Sequence, residues 1–344
     1  MSCAGSRFES YFSLPMLQKF TILFLIFVCA RPELVKAQKP LEVSPLKVEE
    51  AFDDSFFSHR IPRQGVERNS TYWFPLSSLF VPGLAQYING QWKPGIVYSG
   101  MGILGVGVGM ANAPSVEEIE AEKKRQKEGK DTRFSEVTEK QKAFQWGMQT
   151  YQTAGSLSVY HAFRSSVAHR QKQGDFAFLK DNENPGDLMM APFHFSHLLK
   201  PTTFIPLGVL AYAIGSSRGE YKKRPLNSSD GFFAGGISYN AGVGEEALFR
   251  GYLMMNLRES WGSDFWSNAA TATVFGLAHL SPSNRAPVAQ LALGYYLGWI
   301  TQRNDWTLSE SIFLHAWWDV LAIAAALEYD EESVVYLPAF VTTF

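Results

Sequence analysis

Three pairs of side chains in the last third of the chain have the types and spacing for acid–base chemistry: Glu246 with Arg250, Phe275 with His279, and His315 with Asp319. Residues four apart share one face of a helix. Glu245 is rotated by about 100° from Glu246 on an ideal helix, so the Glu246–Arg250 pair does not consume it. A carboxylate set aside in apolar surroundings is the kind of group that takes a proton from water near neutral pH. Alone, His279 reads as an ordinary core histidine, and His315-Ala-Trp-Trp-Asp319 is weak. Three such constellations on separate predicted helices make chance a poor explanation.

The flanks are informative too. From Gly231 to Gly244 no residue is charged, and after Glu245, Glu246 and Arg250 seven more uncharged residues follow. An ionised side chain at mid-bilayer costs about 2.5 to 3.5 kcal/mol on insertion scales. A soluble-surface ion pair would not be bounded by two apolar turns on both sides, so the cluster reads as a functional site inside a membrane.

The elements that must position these residues are helical segments at roughly 231–258, 264–281, 286–302 and 307–327, each interrupted by polar residues at helical spacing. That pattern predicts helices lining a polar cavity in a bundle. Upstream, 94–112 is an uncharged, glycine-rich run and the clearest span, its glycines suited to close helix packing in lipid. Residues 143–162 are a further span, and 201–217 a short apolar segment. Trp73–Ile88, broken by Pro75, Pro82 and Gly83, predicts a re-entrant or interfacial piece. The mixed-charge run 115–142 predicts a solvated loop or helix outside the membrane, and 164–200 is another polar excursion.

The fold class expected is therefore all-α: a polytopic membrane bundle of about seven to eight helices with polar loops. With the basic group Arg218, Lys222, Lys223 and Arg224 on the cytoplasmic side, seven crossings follow and the acidic C-terminus lies inside. The divisions are a signal peptide at 1–37, a polar arm at 38–72, N-terminal membrane segments at 73–225, a catalytic core at 226–330 and a tail at 331–344.

The signal reads from Arg7 and Lys19 before the apolar core Phe20–Ala30, with a cut after Val35-Lys36-Ala37; an uncleaved anchor is the alternative. Both cysteines, Cys3 and Cys29, fall inside it, so the mature chain has no thiol for a disulfide, nucleophile or metal. With 31 basic and 33 acidic residues, nothing points to nucleic acid. The abundant aromatics, 26 Phe, 14 Tyr and 9 Trp, suit bilayer interfaces. Asn69-Ser-Thr71 and Asn227-Ser-Ser229 match glycosylation sequons by pattern alone, and His194-x-x-His197 reads as two loop or interfacial histidines.

The run Glu245-Glu246-x-x-x-Arg250, with Phe275-x-x-x-His279 and His315-x-x-x-Asp319, resembles the three motifs of the CPBP family of intramembrane proteases, which includes the type II CAAX prenyl proteases and the bacterial Abi relatives. Order and spacing fit over about 231–327. The resemblance implies an endopeptidase acting on a membrane-associated protein or peptide. Glu245 would activate water, His279 would help hold it, Glu246 and Arg250 would brace the site, and His315 with residue 319 would stabilise the oxyanion. Prenyl-protease members carry Asn where this chain has Asp319. An Asp donates only when protonated, although bacterial relatives also have Asp here. Glu245, His279, His315 and Asp319 are equally a ligand set for zinc. The metal-free glutamate mechanism is favoured, with a metal-dependent hydrolase and a non-catalytic immunity or scaffold protein as alternatives. The signal and the relatives point to a multi-pass protein of a bacterial inner membrane. A second resemblance, Val81-Pro82-Gly83-Leu84-Ala85-Gln86-Tyr87-x-x-Gly90 to small bacterial membrane domains, implies a membrane hairpin only.

Overall fold

The computed structural model describes residues 70–127, 137–181, 183–216, 224–280 and 287–328. The signal at 1–37 with its cysteines, the arm up to 69, Arg218, Lys222, Lys223 and the tail at 331–344 lie outside the described residues. Among the described residues every regular element is helical.

Proline and glycine cut the first apolar segment, as its sequence predicts. Helix α1, Trp73–Phe80, ends before Val81-Pro82, and α2, Leu84–Ile88, begins after Gly83, whose φ of 91° suits a residue without a side chain. Helix α3, Trp92–Ala111, is the expected glycine-rich span. The charged α4, Val116–Lys127, follows as one helix.

The expected span at 143–162 is the middle of a much longer helix, α5, Glu139–Gln171, opened by a capping box between Thr138 and Gln141. It packs on α1 and α3 and on the core helix α8 introduced below. Its modest apolarity has a structural cause. Buried Thr153 donates to the Asn240 carbonyl at 3.0 Å, and buried Ser158 accepts from the Gly83 backbone at 3.0 Å. Its hydroxyls bind protein backbone, so the helix needs no apolar surface at those positions.

The stretch 164–200 is a correction to the sequence reading. Its first part continues α5, and its last part forms α6, Pro185–Met190, and the 3-10 turns Ala191–Phe193 and Phe195–Leu199. These turns lie on the core helices: Tyr239 donates to the Met189 carbonyl at 3.1 Å, and Trp317 to the Pro192 carbonyl at 2.9 Å. The short α7, Pro201–Ser216, follows.

The core begins with α8, Ser228–Leu248. The Asn227 side chain caps it, accepting from Asp230 N at 2.8 Å, which gives the sequon asparagine a structural use. The helix continues without a break through a π-helical turn, Phe249–Met254, into α9, Met255–Trp261. Helix α10, Asp264–Ala278, α11, Val288–Arg303, and α12, Ser309–Glu328, complete it. Helices α3 and α12 are the two among the described residues long and apolar enough to cross a membrane.

Candidate active site

Close backbone approach brings the acidic run to α12. Gly242 lies one turn before Glu246, and a methyl group there would sit 2.9 Å from the Ala316 backbone nitrogen. With glycine at that point α8 and α12 meet directly, and side chains one turn on can bond across the seam. They do: His315 Nδ1 lies 2.8 Å from Glu246 Oε1. Glu246 also receives Arg250 Nη1 at 2.7 Å, and both members of that pair are fully buried. A carboxylate held by Arg accepts, so the Nδ1 atom of His315 carries the proton.

Glu246 is therefore the hub of the brace, joining Arg250 to His315. The spacing predicts the Arg250 bond but pairs His315 with Asp319; the structure puts Asp319 Oδ2 farther off, at 3.6 Å from His315 Nε2. Sequence separation hides the Glu246–His315 bond, since nothing in local periodicity links two residues on different helices.

Arg250 is held on three sides. Its Nη2 donates to the Gly294 carbonyl at 2.8 Å, and its guanidinium lies 4.4 Å from the centre of the Phe275 ring. The π-helical turn begins beside it, at Phe249, a geometry that recurs at functional sites.

Phe275 is more than the first letter of a motif. Its ring centre lies 4.5 Å from that of His279, 6.0 Å from His315 and 5.2 Å from Phe249. One aromatic side chain thus supports both histidines and the arginine. Its fourfold spacing to His279 was the available signal, and the contact with Arg250 was not readable from it.

His279 stands at the C-cap of α10, where its Nδ1 donates to the Phe275 carbonyl at 2.7 Å. A carbonyl can only accept, so Nδ1–H is fixed and the Nε2 lone pair faces Glu245. Glu245 Oε2 lies 3.9 Å from His279 Nε2 and 3.9 Å from His315 Nε2. It has no hydrogen-bond partner among the described residues, and its side chain is 22% exposed. The structure brings all six expected residues together, with Glu245 at the accessible edge and Glu246, Arg250, His315 and Asp319 behind it.

Glu245, His279 and His315 are the residues that would hold a zinc ion here. Ligands at zinc–nitrogen and zinc–oxygen bond lengths in a tetrahedron lie about 3.4 Å apart, against 3.9 Å on both sides of Glu245 Oε2. Among the described residues no three His, Cys, Asp or Glu side chains are grouped as a metal site. His194 and His197, for their part, meet at Ser309 Oγ, at 3.1 and 2.9 Å.

No curated protein and no solved structure matches the chain. Residues 229–321 match one family model, and that range contains Glu245, Glu246, Arg250, His279, His315 and Asp319. The segment carrying the site is thus similar to the type II CAAX prenyl endopeptidase Rce1-like family.

Proposed function

We propose that the protein is an intramembrane endopeptidase hydrolysing a peptide bond in a membrane-associated protein or peptide, with Glu245 as general base. One observation carries the reading: Glu245 Oε2 is unengaged and equidistant, at 3.9 Å, from two imidazole nitrogens. That gap is too long for a direct hydrogen bond and suits one shared water.

In this mechanism the water donates to Glu245 and to His279 Nε2, and its oxygen attacks the carbonyl carbon of the scissile bond. Glu245 takes the proton, and the carbonyl π pair moves to oxygen. His315 stabilises that oxyanion through Nε2–H when doubly protonated, while Glu246 holds its other proton. Asp319 acts as a positioning residue behind His315. The C–N bond then breaks, and Glu245 returns the proton to the departing amine. Helices α3, α5, α7, α8 to α9, α10, α11 and α12 make a polytopic bundle, placed in a bacterial inner membrane.

The test compares wild type with Glu245→Gln on membrane-peptide substrates, each with and without chelator. Cleavage lost in the variant and kept under chelator supports the glutamate mechanism. Loss under chelator as well moves the reaction to a metal enzyme. Equal cellular rescue by both proteins, without cleavage by either, leaves a scaffold.

A further inference from the structure

A second cluster of charged side chains sits where α7, α11 and α12 converge. Glu310, 2% exposed, accepts from Lys200 Nζ at 2.6 Å, Thr203 Oγ1 at 3.1 Å, Asn304 Nδ2 at 2.8 Å and Thr202 Oγ1. Glu310, Lys200, Thr202 and Asn304 line a cavity of about 280 Å³ together with Pro201, Ile300 and Arg303.

The charges in that cavity do not cancel. Lys200 balances Glu310, and Arg303 remains. Among the described residues Arg303 makes no ion pair; its guanidinium lies 5.4 Å from the ring centre of Trp299. The cavity therefore keeps one positive charge without a carboxylate, beside Lys200, while its hydroxyl and amide protons go to Glu310 and the Ile300 carbonyl. Its complement is a monoanion with several acceptor oxygens, such as a phosphodiester.

The neighbouring surface identifies the source of that anion. Running from Lys200 down α7, Phe204, Ile205, Val209 and Tyr212 are 63%, 58%, 62% and 77% exposed. They form one apolar face beginning at the polar cluster. Arg and Trp at the end of an apolar helix mark the headgroup level of a bilayer, and basic pockets between membrane helices hold anionic headgroups.

We infer that the cavity among Lys200, Thr202, Arg303 and Asn304 binds the phosphodiester headgroup of an anionic phospholipid, with the acyl chains lying along the exposed face of α7. The inference rests on the membrane reading above but not on the chemistry at Glu245. Because Glu310 opens the helix that carries His315, an occupied pocket steadies the start of α12.

The experiment measures lipid binding by the full chain in nanodiscs of phosphatidylcholine with increasing phosphatidylglycerol, for wild type, Arg303→Gln and Lys172→Gln. Lys172 is an exposed lysine outside the cavity, so it controls for general surface charge. Saturable binding of phosphatidylglycerol by wild type is expected, weakened about fivefold in Arg303→Gln and unchanged in Lys172→Gln. An equal loss in both variants means diffuse electrostatic attraction and overturns the site. Displacement of the lipid by soluble glycerol phosphate at matched phosphate concentration overturns the lipid assignment in favour of a free anion. Absence of saturable binding in wild type overturns both, while cleavage by the same samples still reports separately on Glu245.

Discussion

Two buried carboxylate clusters, one around Glu245 and Glu246 and one around Glu310, lie in the same helical core and are finished in opposite ways. At Glu310 four side chains donate to one carboxylate. Around Glu245 the polar atoms are left incomplete: Glu245 Oε2, Glu246 Oε2, Arg250 Nε and Asp319 Oδ1 are buried without hydrogen-bond partners among the described residues. Leaving such atoms unpaired costs about 1–3 kcal/mol each. A fold that saturates one carboxylate with four donors is able to satisfy such groups. The Glu310 cluster ties helix ends together, and the open polar atoms around Glu245 are what the proposed hydrolysis requires.

The largest expected effect separates the two clusters outright. Glu245→Gln is expected to lower the cleavage rate by about 10²- to 10⁴-fold with thermal stability unchanged. Glu310→Gln is expected to reverse the pattern, lowering the melting temperature while the rate stays within a few-fold. Rates and melting curves of the two variants, measured side by side, decide it. A Glu310 variant as inactive as the Glu245 variant would erase the contrast.

Next in size are the cations. Removing one partner of a fully buried ion pair costs about 3–5 kcal/mol, which is the loss expected from Arg250→Met. Lys200, with its side chain 42% exposed, is worth about 1 kcal/mol because Glu310 keeps three other donors. Denaturant unfolding in detergent measures both. Similar losses would show that burial does not rank the two clusters.

Phe275→Leu probes the support beneath the histidines. It keeps apolar volume but removes the ring that faces His279, His315 and Arg250. A small displacement of positioned groups is expected to cost between about tenfold and a hundredfold in kcat, with KM little changed. An equal rise in KM would make Phe275 a substrate contact instead.

Part of the cluster's arrangement is legible in the sequence because helical period alone puts residues four apart on one face. Glu246–Arg250 and Phe275–His279 follow from it, and the idle position of Glu245 follows from the same angle. What the period cannot encode is contact between helices. The bond from Glu246 to His315 and the Arg250 contact with Gly294 depend on how closely α8, α11 and α12 approach. Glycine at 242 permits the first of these, but a glycine in a run containing Gly231, Gly235 and Gly236 gives no hint of which one matters. The helix at 139–171 exceeds the uncharged run 143–162 because helical structure continues through charged Lys142 and Arg164, which the polarity of the sequence sets as its limits. Residues 185–199 belong to a stretch that the sequence presents as a polar excursion, whereas the carbonyls of Met189 and Pro192 serve Tyr239 and Trp317 of the core.

The smallest effect concerns a third carboxylate, intermediate between the two clusters. Glu183, half-buried before α6, accepts from the backbone nitrogens of Leu308 and Ser309 at 2.8 and 3.1 Å, where α12 begins. Burial pushes its carboxyl up to about 7, against the opposing pull of those N–H groups and of Arg164. In the unfolded chain its ordinary value is 4.5, so between there and about 7 the folded protein holds a proton that the unfolded one has lost. Stability from this group is then fully present below the unfolded value and is lost as pH rises through about 7. Glu183→Gln cannot titrate, so its melting temperature is expected to fall less than that of wild type between pH 5 and pH 8. Parallel curves for the two proteins would mean that Glu183 is as well satisfied as Glu310, and that α12 is anchored at its start by saturated groups alone.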